Sequence, residues 1–202
     1  MGGRFTGGIM ASGYSWPFKG DIILTSPYGY RDAGIGSGSF HQGVDIVDSS
    51  GSGTGIYCIH AGIVTLSQDV VPGWEEAGSM IIVKGYDQKF VTYEEFKPGT
   101  MKVKKGDTVK AGQLLATNGI SGNATGEHLH LGINDTGLAP LDPKLWEDPA
   151  PYLGIKNVPN RYKKPSDIGS AGNENQGEDG AGSSTGVTKG ISVFMNVIHR
   201  YN

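Results

Sequence analysis

The sequence predicts an all-β protein: one compact, antiparallel, barrel-like domain with glycine-rich loops, followed by a flexible C-terminal extension. Three observations carry this expectation. Thirty-four of the 202 residues are glycine, which suits a chain that turns often. Apolar residues fall in short runs, and few long stretches repeat with helical period. At 37% hydrophobic the chain can bury one sizeable core but hardly two.

Taken in order, residues 1–15 read as a flexible leader. Met1-Gly2-Gly3-Arg4-Phe5-Thr6 lacks the apolar run of a signal peptide, and its fit to the myristoylation pattern is what chance produces in a glycine-rich start. Strands are expected at 43–47, 62–67, 80–84, 89–96, 114–117 and 128–133, each a short apolar or alternating run. Residues 69–78, with Pro72, Gly73 and Trp74, form a loop whose tryptophan either lines a groove or packs at the loop base. Within 142–153, Leu145 and Trp146 are expected to pack on the barrel, and 154–165 close it. Residues 166–190 are rich in Gly, Ser, Asn and acidic side chains and read as a linker.

The end of the chain is apolar again. Ile191, Val193, Met195 and Val197 share one strand face, and Phe194 and Ile198 share the other, so the segment 191–202 needs cover on two sides. Twelve residues can neither build a core nor cross a membrane. The segment therefore reads as a docking element for a protein partner, with return to its own domain as the alternative.

A net charge of −3 and a pI near 5.9 leave no basic footprint, so nucleic acid is not the expected partner. No run is long enough for a transmembrane helix. The single cysteine, Cys58, excludes an intramolecular disulfide and reads as a small buried residue.

Chemistry concentrates in two places. His41-Gln42-Gly43-Val44-Asp45 and His128-Leu129-His130 hold three of the five histidines. In an extended strand both spacings put their members on one face, so two adjacent strands present two imidazoles and a carboxylate to one metal. Each fragment alone is common: HxH arises by chance, and HxxxD lines up equally well on a helix. Their flanks add weight, because Gly43 precedes a β-branched run and 119–127 is a glycine-rich loop feeding a strand.

These motifs, with several others in the same order, resemble the lysostaphin-type (LytM-like) zinc metallopeptidases that cut peptidoglycan. The resemblance spans roughly residues 16–134. Leu24-Thr25-Ser26-Pro27-Tyr28-Gly29-Tyr30-Arg31 looks like the family's opening, and His41–Asp45 matches its HxGxD motif. His60-Ala61-Gly62-Ile63-Val64 is similar to its A-x-G-x-V strand. Residues 103–119 resemble its glycine-spaced hairpin, and Ser121–His130 its S-T-G-P-H-L-H signature.

The resemblance implies a zinc endopeptidase domain over 16–153, acting on peptide cross-links of bacterial peptidoglycan. It implies Zn2+ held by His41, Asp45 and His130, with His128 as a catalytic histidine and Tyr28 and Arg31 as structural residues near the cleft. His60 and His199 take no part. Without a signal, the implied setting is extracellular or virion, such as a phage tail. The alternative is a silenced domain that binds wall or a protein partner.

One position departs from the pattern. Where the family has a second catalytic histidine in Y-x-H-L, this chain reads Tyr93-Glu94-Glu95-Phe96. Alternation puts Val91, Tyr93 and Glu95 on one face, with Glu95 in the histidine's place. Glu95 then acts as a general base, or fills the metal's open position, or stands idle on a domain that no longer cuts.

Overall fold

The computed structural model describes residues 13–31, 40–138 and 142–165. Its regular elements are β1 (Ile22–Ser26), β2 (Gly29–Tyr30), β3 (Phe40–His41), β4 (Gly43–Asp48), β5 (Gly55–Tyr57), β6 (Gly62–Gln68) and β7 (Ser79–Gly85). The chain continues through β8 (Phe90–Phe96), β9 (Thr108–Val109), β10 (Leu114–Thr117), β11 (Leu129–Asn134), β12 (Trp146–Glu147) and β13 (Asn160–Tyr162). Short 3-10 turns at Glu75–Ala77 and Pro143–Leu145 complete the described residues, so the chain is all-β.

The main sheet runs β13-β1-β4-β11-β8-β7-β6-β9, with β12 pairing β11. Every pairing in it is antiparallel. Its outermost strands, β13 and β9, do not pair with each other, so the sheet is open and the barrel does not close. The β10–β5 pair and the β2–β3 pair stand apart from it.

Alternation decides what each strand buries. Val44 and Ile46 of β4, Val91 and Tyr93 of β8, and Leu129, Leu131 and Ile133 of β11 enter one core with Trp16, Phe18, Ile56, Leu115 and Leu153. Strand β7 is apolar on both faces: Ile81 and Val83 join this core, while Met80 and Ile82 form a second cluster with Val71. Leu66, Trp74 and Phe90 pack against that second cluster. Burial of such a side chain stabilises by about 1.5–3 kcal/mol, which favours this register over a slipped one.

Leu145 does not pack as expected. It is 39% exposed, because the 3-10 turn aims it outward, while Trp146 one residue later is buried. Tyr14 and Ser15, at the end of the stretch read as a leader, are buried, and the Ser15 amide donates to the Ile59 carbonyl at 2.6 Å. Cys58 is buried as expected. The segment 191–202 and the linker before it lie outside the described residues. No described helix is long and apolar enough to cross a membrane.

Candidate metal centre

Strands β4 and β11 are neighbours, and their register sets His130 directly across from Asp45. His41 comes from β3, separated from β4 by Gln42, so it reaches Asp45 across a break in the strand rather than along one strand face. Gly43 makes the close approach possible. A Cβ there would lie 2.3 Å from the Leu131 carbonyl oxygen and 2.8 Å from Nε2 of His130.

The ligand atoms converge. His41 Nε2 is 3.1 Å from Asp45 Oδ1 and 3.1 Å from His130 Nδ1, and His130 Nδ1 is 3.0 Å from Asp45 Oδ1. The tautomer of His41 follows from its other nitrogen: Nδ1 lies 2.7 Å from the Pro27 carbonyl, which only accepts, so Nδ1 carries the hydrogen. Nε2 of the neutral ring then points a lone pair at a carboxylate oxygen and a second imidazole nitrogen. Three acceptors facing one another need a cation among them. Two imidazoles and one carboxylate are a donor set that zinc accepts, with room for a fourth ligand.

Without a metal, a proton fills that role. Burial opposes charge on His130, but its hydrogen bond to Asp45 and the negative charge of Glu94 outweigh burial and push its pKa up to about 9. Burial also raises the Asp45 carboxyl, yet its hydrogen bond with His130 and the closeness of His41 outweigh burial and hold it well below the usual carboxylate range. Burial keeps His41 neutral by lowering its pKa. A metal taken up here would displace a proton from this triplet.

His128 and Glu95 stand on the open side. His128 Nδ1 donates to the Gly126 carbonyl at 2.9 Å, and its Nε2 meets Glu95 Oε2 at 2.5 Å. Burial lowers the His128 pKa, but the hydrogen bond to Glu95 and the charge of Asp45 outweigh it and leave it raised.

Glu95 does not reach this place by alternation. Tyr93 points the other way, fully buried, with its hydroxyl accepting from the Ile59 amide at 2.8 Å. Glu94 pairs with Met80 and Phe96 with Ser79, so Glu95 is an extra residue in the strand, and its φ is 68°. This left-handed bulge turns its carboxylate to the metal side. The expected shared face of Val91, Tyr93 and Glu95 is thus corrected, because a bulge at Glu95 interrupts the alternation after Glu94.

The centre lies in a cleft of about 450 Å3 whose lining includes Arg31, Phe40, Trp74, Glu76, Asn123 and Thr125. Trp74 both lines the cleft and packs at the loop base. Arg31 reaches Asp45 at 3.7 Å, and the Tyr28 hydroxyl donates to the Trp146 carbonyl at 2.8 Å, so both brace the cleft. His60 is away from the centre, buried and stacked on Tyr14 at 5.3 Å. His199 lies outside the described residues.

The sequence model of peptidase family M23 matches residues 39–143, which contain His41, Asp45, Glu95, His128 and His130. The chain belongs to peptidase family M23. Its lysostaphin-type character is shared with the catalytic domain of the antimicrobial peptidase lysostaphin from Staphylococcus simulans, at 28% identity and a TM-score of 0.51, over 63% of this chain and 89% of that one. An uncharacterized lipoprotein of Escherichia coli (strain K12), YgeR, is 34% identical over 134 residues, or 66% of this chain. The chain spans about half of that relative's length, 47%. A chain of the SpoIIIAH–SpoIIQ complex shares the fold at a TM-score of 0.55 and 17% identity, covering 69% of this chain and 99% of that one.

Two residues of this M23 site were not singled out from the sequence. Glu94 is buried, sits across from His130 in the β8–β11 register and lines the cleft. Burial raises its pKa, against the positive pull of His130. Alternation points to it only once Val91 and Tyr93 are seen to enter the core, which puts Glu94 on the opposite, cleft-facing side. Glu127 accepts from the Gly53 amide at 2.6 Å, the Ser52 hydroxyl at 2.5 Å and the Asn118 amide at 3.1 Å, tying down the loop just before His128. Nothing in its local sequence announces those partners, which lie up to 75 residues away.

Proposed function

We propose that the chain is a zinc-dependent endopeptidase that hydrolyses peptide bonds in bacterial peptidoglycan cross-links. The observation that carries this reading is the His41/Asp45/His130 triplet opening onto a cleft in which the His128–Glu95 pair stands ready to handle a proton. When bound, zinc supplies a Lewis acid that polarises the scissile carbonyl and makes a water nucleophilic at neutral pH.

The protein's own groups do the rest. Glu95 accepts the proton of the attacking water. His128, with its ring orientation set by the Gly126 carbonyl, donates from Nε2 to the developing oxyanion and then to the leaving amine. Arg31 holds the second oxygen of Asp45, and Trp74 with Asn123 and Thr125 forms a wall along which an extended peptide lies.

A second reading, a wall- or partner-binding domain that does not cut, is favoured by Glu95 itself: it comes close enough to His128 and Asp45 to reach a metal. We place the protein outside the cytoplasm or in a wall-penetrating assembly such as a phage tail, with 191–202 as its docking segment. The discriminating experiment incubates the protein with purified sacculi, with and without a chelator. Release of new amino termini that stops on chelation supports the enzyme; binding to sacculi with no release in either condition supports the second reading.

A further inference from the structure

The metal triplet and the proton-handling pair share one carboxylate. Asp45 Oδ1, already 3.1 and 3.0 Å from His41 and His130, lies 3.7 Å from Nε2 of His128. With Glu95 on the far side of that nitrogen, Asp45, Glu95 and His128 form a second triplet whose ligand atoms all lie within 4.8 Å of one another. Its geometry suits a metal for the same reason as the first. Nδ1 of His128 is committed as a donor to the Gly126 carbonyl, so the neutral ring turns the Nε2 lone pair toward two carboxylates.

Charge points the same way. Among the described lining residues four carboxylates, Asp45, Glu76, Glu94 and Glu95, face the cleft with a single guanidinium, Arg31, so carboxylate ligands outnumber the fixed cation. The left-handed backbone at Glu95 exists at a cost of about 1–3 kcal/mol, as strained functional residues do, and it is what brings this carboxylate to His128.

We propose that the cleft holds two zinc-class divalent ions bridged by Asp45: one on His41, Asp45 and His130, the other on Asp45, Glu95 and His128. Paired ions sharing a carboxylate are a known arrangement for hydrolytic chemistry. The second ion binds more weakly, because two of its three protein ligands are carboxylates and one of them is shared. In the two-ion form the His128–Glu95 pair holds metal instead of a proton, so the proton transfers assigned to the pair above belong to the one-ion form. The inference rests on the reading of the first triplet as a metal centre.

The test titrates the metal-stripped full chain with Zn2+ by calorimetry and equilibrium dialysis, and with Mn2+ by electron paramagnetic resonance. Two ions per chain are expected in two phases, with the Mn2+ signal weakening between one and two equivalents as bridged ions couple. Glu95→Gln, which keeps the side chain's size, should take up one ion with the tight phase intact. One ion in both parent and Glu95→Gln would overturn the second site and leave the first standing. Two ions in both would place the second elsewhere and also overturn it. No tight ion in the parent would sink the first centre and the second with it.

Discussion

Glu95 provides a test in which a general rule should reverse sign. Glycine in a strand costs about 0.5–1 kcal/mol relative to alanine, because it loses more backbone freedom on folding. At φ 68° a Cβ is itself penalised, by about 1–2 kcal/mol. Glu95→Gly and Glu95→Ala lose the same carboxylate and the same contact with His128, so their difference isolates the backbone. Subtracting the entropic cost from the relieved strain, Glu95→Gly should be the more stable by about 0.75 kcal/mol, the middle of a range of about 0–1.5 kcal/mol. The comparison belongs in urea with a chelator present, so that metal binding does not add its own stabilisation to the folded state. With an m-value of about 1–3 kcal/mol/M, a gap of about 0.75 kcal/mol moves the midpoint by about 0.25–0.75 M. Both variants should lose roughly 10²-fold or more in peptide hydrolysis. Equal stability, or an advantage for alanine, would mean that the strand does not bulge there. Glu95 would then follow Tyr93 into the core, and its role at the metal would go.

Two further predictions follow from the packing. Gly43→Ala sets a Cβ 2.3 Å from the Leu131 carbonyl oxygen, which a backbone atom cannot evade without parting β4 from β11; stability should fall by about 1–3 kcal/mol in urea, and zinc affinity should fall at least tenfold by dialysis. Unchanged zinc affinity would show that the β4–β11 register does not set the ligand geometry. His60 is buried, and burial lowers its pKa below 6.5 against the pull of Asp87 and of the Lys89 backbone. The unfolded chain therefore binds the extra proton first, so stability is full above about pH 6.5 and declines as the pH falls below it. His60→Leu should flatten that acid-side slope in denaturation curves; an unaltered slope would assign it to other groups.

Much of this protein could be read without a structure, and the reason is local. The pleat forces alternation, so Val44/Ile46, Leu129/Leu131 and Val91/Tyr93 announced their strands and their buried faces. Glycine runs announced the turns, and composition limited the chain to one main core. Ligand chemistry and spacing marked His41, Asp45, His128 and His130 as candidates, since few other side chains can hold zinc or move a proton near neutral pH, and the resemblance to the lysostaphin-type family supplied their separate roles.

What the sequence could not decide depends on residues far apart in the chain. That His130 faces Asp45 is a property of the β4–β11 pairing, which no local pattern encodes. A single left-handed residue reverses the side to which Glu95 points, and whether a strand bulges is set by its neighbours on both sides. Leu145 and Trp146 carry equally apolar side chains, yet the turn preceding β12 exposes one and buries the other. The sequence determined which residues could do the chemistry and which strand faces would be buried. Only the tertiary structure decided which of those residues meet, because meeting depends on strand order and register, which are settled by packing over the whole sheet.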